Sequence, residues 1–144
     1  MIYTVKTKRA IKLCFKAHEG QVDKSGLPYV YHPLHLAEQM DDEASTIVAL
    51  LHDVVEDTDY TIKDLKGMGF GDAVIEAIDI MTHRPDVPYM DYVKEIAKNT
   101  IARRVKLADL NHNSDLTRLN HEPTSHNLER LEKYKKAIEL LEKE

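Results

Sequence analysis

Apolar residues recur along nearly the whole chain at intervals of three and four, the period of an amphipathic helix. No sustained two-residue alternation or hairpin turn interrupts them. Ala10, Ile11, Leu13, Cys14 and Ala17 form one such stripe and predict a first helix from about Thr4 to His18, ended by Glu19-Gly20. The polar segment from Gly20 to Tyr31, with Gly26 and Pro28, reads as a loop. Pro33 suits the first turn of a second helix, Pro33 to Met40. Asp41 or Asp42 caps a third, which runs through Ile47-Val48-Ala49-Leu50-Leu51 towards Asp57. Thr61-Ile62-Lys63-Asp64 has the form of a capping box for a short helix stopped by Gly67-Met68-Gly69. Further helices are predicted over Asp72 to Met81, Tyr89 to Lys98 and Ile101 to about Leu116. Ser125 is the expected cap of the last, Leu128 to Leu141. The expected fold is a compact all-α, multi-helix bundle forming one domain over residues 1–144, with no internal repeat or linker.

Composition narrows the class. A chain of 144 residues with 42% hydrophobic and 31% charged residues has the balance of a globular domain able to bury a core. Its apolar runs are too short to span a bilayer, and the N-terminus MIYTVKTKRA lacks the apolar region of a secretion signal. The single cysteine, Cys14, cannot form an internal disulfide; it lies on an apolar stripe, as a core residue does, and fits a reducing, cytoplasmic setting. With 20 Lys+Arg against 25 Asp+Glu, the net charge of −5 argues against a nucleic-acid-binding face. An acidic protein that handles an anionic substrate needs a cation to help, and this directs attention to metal ligands.

The run His52-Asp53-Val54-Val55-Glu56-Asp57 concentrates such residues. On a continuous helix His52 and Glu56 would share a face, as would Asp53 and Asp57, one turn apart. That spacing sets metal ligands on one turn and a carboxylate for proton transfer on the next. The acidic end is not the charge a helix C-terminus favours, so capping does not account for it. Asp109 interrupts the apolar helical segment Val105 to Leu110, where a carboxylate is costly unless paired or bound to a metal. His32 precedes Pro33 at a rigid helix start. Together His32, His52, Asp53 and Asp109 make two neutral and two anionic ligands, a set suited to a divalent ion of the Mn, Fe or Zn kind.

The same residues carry a resemblance. The order His32, His52-Asp53, Asp109 resembles the His…His-Asp…Asp pattern of the HD-domain phosphohydrolase superfamily. The surrounding wording is similar to the hydrolase domain of Rel/Spo alarmone enzymes and to single-domain small alarmone hydrolases. It comprises Ala17 to Gln21, Lys24 to Pro33, Ala49 to Thr58, and Val105 to Asp109 followed by His112-Asn113. The match runs from about residue 10 to 120 and leaves no room for a synthetase domain, so a stand-alone hydrolase is expected. The resemblance implies one Mn2+ held at His32, His52, Asp53 and Asp109, and removal of the 3′-pyrophosphate from (p)ppGpp to give GDP or GTP. It also implies Glu56-Asp57 as the catalytic pair, with Glu56 read as the main proton acceptor and Asp57 as its orienting partner. Anionic phosphoryl oxygens repel a nucleophile; a divalent ion offsets that charge and acidifies water. A carboxylate base adds on the order of 10²–10⁴-fold.

Lys24 and Asn113 match the family's substrate-holding loop lysine and asparagine, the latter four residues after Asp109. The family's Arg-Lys pair is here Asp23-Lys24, and Ser114-Asp115-Leu116-Thr117-Arg118 replaces a Met-Arg-Thr type of run. The departure at Asp23 leaves guanine and adenine alarmones both open as substrates. Of the other histidines, His18 is expected to close the first helix, and His35 to pack or meet solvent. His83, His121 and His126 are expected to be exposed in connecting segments, and Tyr29 is read as packing. Two other readings stay open: another HD nucleotide phosphatase, acting on a nucleoside monophosphate or on the 2′-phosphate of NADPH, and a non-catalytic nucleotide-binding module. The expected partner in the first two cases is a small nucleotide substrate, without nucleic acid or membrane.

Overall fold

The wholly apolar segment at the end of the third predicted helix becomes the centre of the molecule. The computed structural model describes residues 1–143, which contain nine α-helices and no β-strand. They are α1 (Val5–Ala17), α2 (Tyr31–Glu38), α3 (Glu43–Leu51), α4 (Val54–Asp57) and α5 (Ile62–Gly67). After these come α6 (Asp72–Met81), α7 (Tyr89–Ala97), α8 (Thr100–Asn113), a 3-10 turn (Leu116–Arg118) and α9 (Ser125–Glu142). Every residue of α3 from Ser45 to Leu51 is buried, as expected of a helix with no polar stripe. It is wrapped by α1 and α2, with α8 and α6 on its other sides, while α9 lies across α7 and α8.

Local chemistry sets the ends of these helices. The Asp42 side chain caps α3 by accepting the Ser45 N–H at 2.7 Å, which decides between the two candidate aspartates. Thr61 and Asp64 complete the capping box of α5, Asp doing the work of the more usual Glu. For α9 the cap is Thr124 rather than Ser125: Thr124 and Asn127 satisfy one another's backbone N–H, so the helix begins three residues before Leu128. Helix α2 begins at Tyr31 rather than Pro33. A proline at the third helical position loses nothing, because the N–H groups of a first turn have no intrahelical partner.

The largest departure is at His52-Asp53. The third helix does not run on to Asp57; it stops at Leu51, turns through His52 and Asp53, and restarts as α4. The His52 ring bonds the Ala49 carbonyl at 2.8 Å, the oxygen the Asp53 N–H would take in an unbroken helix. A side chain thus competes with the backbone ladder at this point.

Cys14 is fully buried in α1, and burial, with the nearby Asp53 charge, pushes its thiol up to about 12. The neutral thiol is therefore the form present from pH 7 to 9. Folded protein should give no colour with a disulfide reagent at pH 8, and one thiol per chain on adding denaturant. Rapid labelling without denaturant would mean that α1 opens readily.

Candidate active site

Three elements bring the four expected ligand residues together. The first turn of α2 supplies His32, the α3–α4 turn supplies His52 and Asp53, and α8 supplies Asp109. His32 Nε2 lies 2.8 Å from Asp109 Oδ1 and 4.0 Å from Asp53 Oδ2. His52 Nε2 is 3.1 Å from Asp53 Oδ2 and 3.6 Å from Asp109 Oδ1. One ligand atom each from His32, His52 and Asp109 all fall within 4.8 Å of one another, and all three residues are buried. This His-His-Asp cluster could hold a metal ion, and Asp53 adds a carboxylate oxygen to its edge.

The protonation of His52 follows from its partners. The Ala49 carbonyl can only accept, so His52 Nδ1 carries a proton, while the buried Nε2 faces the two carboxylates. Burial alone would push the His52 pKa down, yet Asp53 and Asp109 hold it well above its ordinary value. Burial would likewise raise both carboxylates. The Lys106 charge, with His32 and His52, keeps Asp109 well below the usual range, and the His52 charge keeps Asp53 at about 2. Two nearly buried anions facing two imidazole nitrogens thus demand positive charge, and the donor set fits a divalent cation.

Three supporting residues escaped the reading of the sequence. Lys106 Nζ sits 2.9 Å from Asp109 Oδ2, clamping the carboxylate from the side away from the histidines. Its spacing of three from Asp109 on α8 was a usable signal. Tyr29, read as packing, donates its hydroxyl to Asp53 Oδ2. His112 joins the cluster through His32, their Nδ1 atoms 2.7 Å apart, with the His35 ring stacked against its own at 4.1 Å between centroids. His83 is half-buried rather than exposed: its ring lies 4.5 Å from that of Tyr92, and its Nε2 donates to the Val87 carbonyl. His126 is exposed, but in the first turn of α9 rather than in a connection. His18 caps α1 as expected and is buried, its Nδ1 donating to Gln21 Oε1 at 2.8 Å.

Glu56 and Asp57 lie on α4, at the exposed edge of the cluster. The His83 N–H donates to Glu56 Oε1, while Gln21 Nε2 donates to the Asp57 backbone carbonyl at 3.0 Å. Partial burial raises both carboxyl pKa values, and the negative charge of Asp53 raises them further.

A cleft of about 370 Å³ opens beside His32, lined by Lys24, Tyr29, Asn113, Arg118, Arg130 and Tyr134 among others. Both expected substrate-holding residues reach it. Asn113 also donates to Asp109 Oδ1 at 3.1 Å, and its own carbonyl lies 3.3 Å from Arg118. Asp23 also lines the cleft, and it braces its own loop: Oδ1 accepts the N–H groups of Ser25 and Leu27 at 2.8 and 3.0 Å. Gly26, at φ 82°, completes that turn. Ser25 Oγ then ties the loop to the Arg118 carbonyl at 2.5 Å.

A helical bundle that gathers His…His-Asp…Asp in this order is an HD phosphohydrolase fold. No protein-family model matches the chain. A GTP pyrophosphokinase of Streptomyces coelicolor is 36% identical over a 148-residue alignment covering 94% of this chain and 16% of the relative. A guanosine-3′,5′-bis(diphosphate) 3′-pyrophosphohydrolase of Haemophilus influenzae is 40% identical over 113 residues, covering 67% of this chain and 16% of the relative. The chain thus spans about one sixth of the length of these curated relatives. A solved structure of a metazoan SpoT ortholog, described as hydrolysing ppGpp with a role in starvation responses, superposes with a TM-score of 0.78. It is 25% identical, with 96% of this chain and 85% of that one covered. Within the HD superfamily, the chain belongs to the Rel/Spo type of hydrolase domain.

Proposed function

We propose that this chain is a single Mn2+-dependent hydrolase domain that removes the 3′-pyrophosphate from (p)ppGpp-like alarmones of guanosine or adenosine. The observation that carries the reading is the junction of two features. A buried His-His-Asp cluster with Asp53 at its edge meets a cleft bearing Lys24, Arg118 and Arg130. The cleft's cations suit a substrate with several phosphates, and the acidic cluster suits a cation. The likeness to a pyrophosphohydrolase and to a ppGpp-hydrolysing SpoT ortholog supports the same substrate class.

His32, His52, Asp53 and Asp109 would hold the ion, which when bound supplies charge neutralisation at the phosphoryl group and acidifies water. Glu56 takes the proton of the attacking water. Its raised pKa makes it a stronger base near neutrality, and the His83 N–H steadies one oxygen while the other stays available. Asp57, beside it on α4, orients the same water. Lys24 and Asn113, both lining the cleft, hold the phosphates and ribose.

Pyrophosphate release from ppGpp and ppApp, with and without Mn2+, tests this directly. Release that needs the metal is expected, and the ratio of the two rates reports base preference. Absence of release from both by metal-loaded protein would shift the assignment to a monophosphate or NADPH phosphatase.

A further inference from the structure

The two ligand-type histidines differ in what holds their second nitrogen. His52 Nδ1 is bound to a carbonyl, which can only accept, so its tautomer is imposed by the backbone. His32 Nδ1 instead faces His112 Nδ1 at 2.7 Å. Their rings lie within 5° of parallel with centroids 5.0 Å apart, the geometry of coplanar rings joined nitrogen to nitrogen rather than stacked face to face. A contact of that length holds one proton: two protonated nitrogens would repel, and two bare ones would set lone pair against lone pair. Once the lone pair of His32 Nε2 is engaged by a cation, a neutral His32 carries its proton on Nδ1, and His112 must accept it.

We propose that His112 is the positioning residue of His32, its Nδ1 accepting the His32 Nδ1 proton and so holding Nε2 towards Asp53 and Asp109. This rests on the reading of the cluster as a metal site. His112 is itself fixed from two directions. Its ring stacks on His35 at 4.1 Å, and Arg118 donates to its backbone carbonyl at 3.0 Å. His112 thereby links the cleft wall to the cluster, since Arg118 and His32 both line the cleft. Acceptors of this kind on metal-bound histidines set the ring's direction and raise its basicity, and their loss typically weakens metal binding 10–100-fold.

The test is Mn2+ affinity, measured calorimetrically on metal-free parent, His112→Phe and His112→Asn proteins. Phenylalanine keeps a ring against His35 but offers no acceptor, while asparagine restores an acceptor near the position of Nδ1. Thermal unfolding of the metal-free forms checks that each variant is folded. The expected result is about 10–100-fold weaker binding for His112→Phe and recovery of most of it for His112→Asn. Equal affinity in all three overturns the positioning role alone. A parent that binds no divalent cation overturns the metal reading and this role with it. Independently of any variant, the long-range 1H–15N spectrum of Zn2+-loaded parent protein should show His32 protonated at Nδ1; a bare Nδ1 there refutes the proposal.

Discussion

Asp109→Asn is expected to abolish divalent-ion binding and hydrolysis together, and to destabilise the fold as well. Asp109 is the most connected member of the cluster, meeting His32, His52, Lys106 and Asn113. Lys106 is only 12% exposed, and burial works against its charge; the Asp109 carboxylate is what keeps its pKa well above normal. Removing the negative partner leaves that ammonium almost buried and uncompensated, which costs about 3–5 kcal/mol. In a domain of this size that corresponds to a fall in Tm on the order of 10–15 °C. Differential scanning calorimetry reads the stability loss, and pyrophosphate release reads the activity. Adding Lys106→Met to Asp109→Asn should restore much of the stability, because the stranded charge is gone, while activity stays lost. If Asp109→Asn hydrolyses alarmone at the parental rate, the metal-site assignment is wrong.

Glu56→Gln separates chemistry from structure. The amide oxygen of glutamine can still accept the His83 N–H, so α4 should keep its place and metal affinity should not change. What disappears is the basic carboxylate. The expected outcome is a fall in kcat on the order of 10²–10⁴-fold with little change in Tm or bound metal. The pH profile should also change: the acidic limb set by Glu56 lies above the ordinary glutamate range, because burial and the Asp53 charge raise its pKa. Below that pKa the group is protonated and cannot accept a proton, so the parental rate falls as pH drops through it. The variant should lose that limb. Parental turnover in Glu56→Gln would move the base role elsewhere, with Asp57 the neighbouring carboxylate to test.

Existence and order of the helices were legible because each must bury a stripe, and a stripe has a period. The capping box at Thr61-Asp64 and the aspartate before the third helix were legible because a backbone N–H near a helix start needs an acceptor close in the chain. Boundaries were less so where two residues could serve. Thr124 and Ser125 both offer a hydroxyl, and only Thr124 sits so that Asn127 returns the bond. The break at His52-Asp53 was hidden for a different reason. Its driving contact joins a ring to a carbonyl three residues back, and residue spacing alone equally permitted an unbroken helix. The bonds from Asp23 Oδ1 to the N–H groups of Ser25 and Leu27 were hidden likewise, because they form only when the loop turns back at Gly26.

By itself the chain's sequence determined which chemistry was on offer: an all-helical domain, two histidines and two aspartates spaced for a metal, and an acidic pair beyond them. Residue type and local spacing carry that information, since charge, basicity and helical period belong to the residues themselves. Only the tertiary structure decided what each group does with its second partner. Lys106 and Asn113 share Asp109, the Tyr29 hydroxyl lies on Asp53, and His112 meets His32 across eighty residues of chain. Proton positions and ring directions depend on such through-space contacts, because a carboxylate or imidazole takes its state from the atoms around it.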